Sequence, residues 1–151
     1  KFLSLYSEFN RSIYNNYRNF KIDKLSQGLL ERIIPEYLIE KRRNNAELLY
    51  SCLDKTDGVT PLFYNKDFTR DCPLFVPIRV EKKIRAKLVD FLKLHRIYCP
   101  IHWPIFSGLN LNDLAEEIYN EELSLVCDQR YDEKDMKRLI GVLKEFFKRN
   151  G

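Results

Sequence analysis

The sequence predicts an α+β domain: a small three-stranded, largely antiparallel sheet covered by helices on one face and preceded by a helical arm. Three observations predict it. Residues 1–58 carry apolar side chains at helical spacing and no strand-like run. Residues 59–151 alternate short, β-branched apolar runs with amphipathic stretches. The apolar runs are short, so the sheet they form is small and must bury a face against helices. We therefore expect residues 1–58 as an arm leading into a small α+β domain at 59–151, the whole forming one structural unit.

Each element has its own reason. From Phe2 to about Phe20, Leu5, Phe9, Ile13, Tyr17 and Phe20 recur at helical spacing, in a segment rich in Asn and Tyr for a helix burying one face. Lys24 to Ile34 repeats the pattern with Leu25, Leu29, Leu30, Ile33 and Ile34. Pro35 disfavours helical backbone at Ile34 but suits the first turn of a new helix. That helix puts Leu38, Ala46, Leu49 and Leu53 inward and closes near Asp57-Gly58. Residues 59–72 show no sustained period and read as loop.

"PLFVPIRV", Pro73 to Val80, reads as a strand, with Pro77 implying an edge or a bulge. Lys82 to Arg96 is an amphipathic helix with Ile84, Leu88, Phe91, Leu92 and His95 on one stripe. "IYCPIHW" is a second strand stopped by Pro104. Leu114, Ala115 and Ile118 share a face of a short helix over Asn112 to Asn120, and "ELSLVCD" is the third strand. Asp132 caps the last helix, Asp135 in its first turn suits the dipole, and Met136, Leu139, Ile140, Leu143 and Phe147 form its core stripe.

The 151 residues carry 26 basic and 22 acidic side chains, a net charge of +4, interspersed rather than gathered. Nucleic-acid binding needs a concentrated basic patch, and none is present, so that class is set aside. No run approaches the length of a membrane span, and no signal peptide can be read. The chain begins at Lys1 and its only methionine is Met136, as expected of a processed product or a piece of something longer.

Cys52, Cys72, Cys99 and Cys127 are spread along the chain in apolar or strand-like contexts, which predicts free, buried thiols in a reducing, cytoplasmic setting. Cys99 and His102 have a C-x-x-H spacing on which Cys72 and Cys127 could converge, but structural zinc sites show a second local pair, so no metal ligand is assigned.

No nucleophile elbow, phosphate-binding glycine loop or metal-ligand helix occurs. His95 sits on a core-facing stripe near a helix end and reads as packed or end-capping. Asp128, Arg130 and Asp132 read as turn and capping chemistry, and Glu116, Glu117, Glu121 and Glu122 as a solvated acidic face.

The segment "RIYCPIHWPIF" stands apart. Strand alternation sets Tyr98, Pro100 and His102 on one side and Cys99, Ile101 and Trp103 on the other. Pro100 and Pro104 fix the backbone on either side of His102 and Trp103. A histidine at such a corner either packs structurally or projects from the sheet rim toward a ligand.

Three segments, in this order, resemble the C-terminal part of sugar aminotransferases of the DegT/DnrJ/StrS type, fold-type I pyridoxal-phosphate enzymes. "ERIIPEYLIEKRRNNAELLYSCLD" is similar to their helix leading into the domain. "CPLFVPIRVEKKIRAKLVDFLKLHRIYCPIHWPI" resembles their strand, helix and strand ending in a histidine-aromatic-proline triplet, here His102-Trp103-Pro104. "EELSLVCDQRYDEKDMKRLIGVLKEF" is similar to their final strand, polar turn and terminal helix. Together they span about residues 24 to 148. The aromatic after the histidine is usually tyrosine in that family and is Trp103 here.

The resemblance implies a larger protein with pyridoxal phosphate as cofactor and a keto-sugar or similar small molecule as substrate. The large domain that would hold the Schiff-base lysine, the acid on the pyridine nitrogen and the phosphate-binding groups is not among these residues. Accordingly no catalytic or cofactor-binding residue is assigned, no cofactor is expected on this chain alone, and this chain alone should be inactive. His102 and Trp103, with Tyr98 behind them, are the expected substrate-lining residues. The expected partners are the missing large domain of the same polypeptide and a second copy in a homodimer, the latter through Tyr6, Phe9, Tyr14 and Tyr17. The alternative is a free-standing interaction module that docks through the aromatic leading helix.

Overall fold

The computed structural model describes residues 2–17, 21–102, 108 and 110–150. Trp103 and Pro104 lie outside them, as does Phe20. The chain divides into two compact units, Lys1–Ile34 and Pro35–Gly151. This division and the one expected after residue 58 differ by one long helix, whose apolar side chains belong to the core of the second unit.

The first unit holds α1 (Phe2–Asn16) and α2 (Lys24–Leu30). Asp23 caps α2, accepting from the Ser26 amide at 2.9 Å and the Ser26 hydroxyl at 2.6 Å. The expected stripe of α1 is present as a face, but Leu5, Phe9, Ile13 and Tyr17 are all exposed.

The second unit contains α3 (Pro35–Leu53), β1 (Thr60–Pro61), β2 (Phe75–Arg79), α4 (Lys82–Leu94), α5 (Asp113–Glu121), β3 (Glu122–Val126) and α6 (Glu133–Asn150). The strands form one antiparallel sheet in the order β1-β2-β3. Pairing of Val76 with Leu125 and Ile78 with Leu123 puts four fully buried aliphatics on one face. Against them lie Ala46, Leu49 and Leu53 of α3, Leu88 and Leu92 of α4, and Met136, Leu139, Ile140 and Leu143 of α6. The α+β architecture with a small antiparallel sheet is therefore as the sequence predicts.

Three expectations about the sheet are corrected. The expected second strand, "IYCPIHW", does not form: residues 97–102 are extended but irregular, and β1, inside the expected loop, completes the sheet. Pro100 has no amide to donate, so the segment contributes a single backbone bond to the sheet, from the Ser124 amide to the Pro100 carbonyl at 3.1 Å. Pro77 is in the central strand, not at an edge. It is tolerated because its backbone faces the short β1 side, where its carbonyl accepts the Leu62 amide at 3.0 Å and the ladder then ends.

Helix ends follow local chemistry. Asp132 caps α6, accepting from the amides of Lys134 at 2.8 Å and Asp135 at 3.1 Å, while the Asp135 carboxylate accepts the Asp132 amide at 3.1 Å. His95 is the C-cap of α4 and packs on Phe91 with ring centroids 4.6 Å apart, as its position on the core stripe suggests. Of the thiols, Cys127 is buried as expected, but Cys72 is exposed and Cys52 and Cys99 are half-buried. Leu114 of α5 is exposed, leaving Ala115 and Ile118 as that helix's inward side chains. No described helix is long and apolar enough to cross a membrane.

Candidate functional site

The second face of the sheet is built from the alternate residues of the same two strands. Phe75, Pro77 and Arg79 of β2 stand opposite Val126, Ser124 and Glu122 of β3. Arg79 is committed to α5: its guanidinium reaches the Glu121 carboxylate at 2.6 and 3.0 Å and also pairs with Glu117. That fixes α5 over one end of the face, and the remaining space is a cavity of about 580 Å³. Its walls are mainly apolar, including Leu62, Phe63, Phe75, Pro77, Ile118 and Tyr119. Among the described residues, no lysine or arginine lines it.

Three polar side chains in this cavity form one hydrogen-bonded line. The Ser124 hydroxyl donates to Glu122 Oε1 at 2.5 Å and lies 3.0 Å from His102 Nδ1. The His102 ring meets the edge of Phe75 with centroids 4.5 Å apart. Glu122 is 9% exposed and Ser124 2%. Glu122 Oε2 is buried with no hydrogen-bond partner among the described residues, an uncommon state for a carboxylate oxygen.

His102 arrives here because of the turn that ends α4. Arg96 adopts the left-handed conformation with φ 57°, the Ile97 amide donates to Leu92 O and the Arg96 amide to Lys93 O, both at 2.9 Å. This is a Schellman closure, and both Ile97 and Leu92 belong to the buried core. It reverses the chain and sends residues 97–102 along the outer edge of β3.

The structure does not bring all expected site residues together. His102 lines the cavity. Tyr98 instead lines a separate cleft of about 70 Å³ beside Met136 and Arg138 of α6, because strand alternation does not hold in the irregular segment. Trp103 lies outside the described residues. Glu122, read from sequence as part of a solvated acidic face, is buried and belongs to the His102 line. Alternation in "ELSLVCD" does set Glu122 and Ser124 on one face, but not that His102 lies beside them.

Asp128, Arg130 and Asp132 are structural, as expected. The Arg130 side chain holds the Asp128 carboxyl below its ordinary range. Buried Asn45 donates to the carbonyls of Cys127, Asp128 and Tyr131 at 3.4, 3.1 and 3.1 Å and pins the turn between β3 and α6. A larger groove of about 770 Å³ runs along α3, lined by Glu40, Lys41, Asn44 and Glu47 among others, and gathers no comparable polar line.

No protein-family model matches the sequence, and no curated protein matches it. Solved structures do match. The chain is similar to the aminotransferase TlmJ from Streptoalloteichus hindustanus, with TM-score 0.67 and 19% identity over 83% of this chain and 35% of that one. It is similar to the sugar aminotransferase CalS13 from Micromonospora echinospora, with TM-score 0.63 and 16% identity over 77% of this chain and 32% of that one. It is similar as well to PseC from Helicobacter pylori, an aminotransferase of pseudoaminic acid biosynthesis, with TM-score 0.63 and 18% identity over 82% of this chain and 36% of that one. This chain spans about a third of the length of the solved structures it matches. Over most of its residues, the chain has the fold that these aminotransferases carry in about a third of theirs.

Proposed function

We propose that this chain is the C-terminal domain of a pyridoxal-phosphate-dependent aminotransferase of the DegT/DnrJ/StrS type, acting on a keto-sugar or similar small molecule in the cytoplasm. His102 then stands on the substrate side of the cleft, and Trp103 and, more weakly, Tyr98 are the other candidates for lining it. The single observation that carries the reading is the polar line from His102 to Glu122 inside an otherwise apolar cavity, on a sheet whose fold is shared with sugar aminotransferases.

Pyridoxal phosphate itself does not fit this cavity. Its described lining residues offer no amine for a Schiff base and no cation for a phosphate. The cofactor belongs, on this reading, to a large domain outside these residues, and this domain shapes the substrate side.

The reading is tested on the longer protein that contains this chain. With pyridoxal phosphate it should show a Schiff-base absorption band that an amino donor converts, and it should transfer the amino group to a keto-sugar. A longer protein with no such band and no amino transfer contradicts the reading.

One observation favours the second reading, an interaction module. Helix α1 leaves Phe9 61% and Tyr14 78% exposed, with Tyr6 and Tyr17 also exposed. In the aminotransferase reading these aromatics meet the large domain or a second subunit, the expected homodimer. Sedimentation tests the homodimer: a monomer at high concentration for the longer protein counts against it.

A further inference from the structure

The His102–Ser124–Glu122 line carries information about which ring nitrogen of His102 holds the proton. A hydroxyl has one proton to give. The Ser124 hydroxyl donates to Glu122 Oε1 at 2.5 Å. Its proton is thereby committed. The contact of 3.0 Å to His102 Nδ1 can then be a hydrogen bond only if Nδ1 carries the proton and Ser124 Oγ accepts.

We infer that Ser124 and Glu122 are positioning residues that hold neutral His102 as the Nδ1–H tautomer and leave Nε2 as a hydrogen-bond acceptor for a ligand in the cavity. A side chain free in water prefers the opposite tautomer, so the line reverses the intrinsic choice. No hydrogen-bond partner of Nε2 occurs among the described residues.

The chemistry selected follows. A ligand group meeting Nε2 must be a donor, a hydroxyl or an N–H, and not a carbonyl oxygen or a phosphate. The rest of the cavity agrees: its described residues hold a carboxylate and no cation to pair with an anionic group, while Phe75, Pro77 and Ile118 offer apolar walls to a neutral ring. That this ligand is the substrate of amino transfer rests on the function proposed above; the tautomer does not.

The test is long-range proton–nitrogen correlation NMR of the histidine rings in the chain. The chain has only two histidines, so a His102→Gln variant assigns the signals and His95 serves as an internal control. For neutral His102 the expected result is a protonated, pyrrole-type Nδ1 and a pyridine-type Nε2. Ser124→Ala should reverse the ratio of the two forms without moving His95, and Ser124→Thr, which restores a hydroxyl, should return it.

A wild-type His102 found mainly as Nε2–H overturns the inference, as does an unchanged ratio in a folded Ser124→Ala. Should Ser124→Ala not fold, the wild-type spectrum and the Ser124→Thr variant still decide. The wrong tautomer in a longer protein that transaminates overturns the line and leaves the proposed function standing. The expected tautomer in a longer protein that does not transaminate supports the line and removes the proposed function.

Discussion

The Pro100 carbonyl accepts the Ser124 amide at 3.1 Å, and this backbone bond ties the irregular segment carrying His102 to the outer edge of β3. It lies two residues before His102, so the histidine reaches the second face of the sheet beside the Ser124 hydroxyl. What aims the segment at that edge is the turn at Arg96.

Arg96 pays a conformational cost in the left-handed region that a glycine would not. Arg96→Gly should therefore leave the Schellman closure intact and stabilise the domain by up to about 1 kcal/mol, the left-handed penalty removed less glycine's larger loss of freedom on folding. Urea denaturation checks it. A destabilised variant would mean that the arginine side chain makes a larger contribution than its backbone strain costs.

Much of the second unit was legible in the sequence because helices announce themselves through a 3.6-residue period. The stripe Leu88 and Leu92, and the run Met136, Leu139, Ile140 and Leu143, are buried as their spacing requires. Asp132 was legible as a cap because capping is local. What escaped was non-local. β1 is two residues long and shows no period, so only its pairing with Arg79 and Ile78 reveals it. Pro77 looked like an edge residue because the sequence does not say which neighbour its missing amide faces. Glu122 looked solvated because alternation marks a face without naming what covers that face.

Asn45 is a second non-local feature with a measurable consequence. Its amide serves three carbonyls at the turn between β3 and α6. Asn45→Ala leaves them without that donor and should cost about 2–3 kcal/mol. Asn45→Asp should cost more, since a carboxylate facing carbonyls can only accept. Chemical denaturation of both variants, with the ranking Asn45 above Ala above Asp, tests the assignment, and equal stability of the three refutes it.

Gly58 combines a left-handed backbone, φ 78°, with a close neighbour: a Cβ there would fall 2.4 Å from the Phe147 ring. Gly58→Ala should lower stability by about 2–4 kcal/mol, the sum of backbone strain and overpacking. Truncating the ring as well, in Gly58→Ala with Phe147→Leu, should recover the overpacking part relative to the sum of the single changes. Strict additivity of the two would show that no clash exists.

The thiols should separate kinetically. Burial pushes Cys99 and Cys127 up to about 12, whereas Cys72 is exposed. A thiol at about 12 is ionised in about one molecule in ten thousand at pH 8, and the thiolate is the reactive form. The sign also follows for stability. Raised above the unfolded value of 9.0, these thiols stay protonated in the folded chain when the unfolded chain has lost its protons, so stability declines as pH rises from about 9 toward about 12. A disulfide reagent at pH 8 should label Cys72 fastest, half-buried Cys52 and Cys99 more slowly and Cys127 only on unfolding, and Cys72→Ser should remove the fastest phase. Rapid labelling of Cys127 in the folded chain would contradict its burial.

The most direct test of the central claim, that His102 serves a substrate cleft and not the core, is the kcat/KM for amino transfer of His102→Ala in the longer protein, set against its thermal midpoint. A substrate-facing His102 should show at least a ten-fold loss, about 1.4 kcal/mol of transition-state stabilisation, with stability changed by no more than about 1 kcal/mol. A lowered midpoint with unimpaired kcat/KM would contradict it.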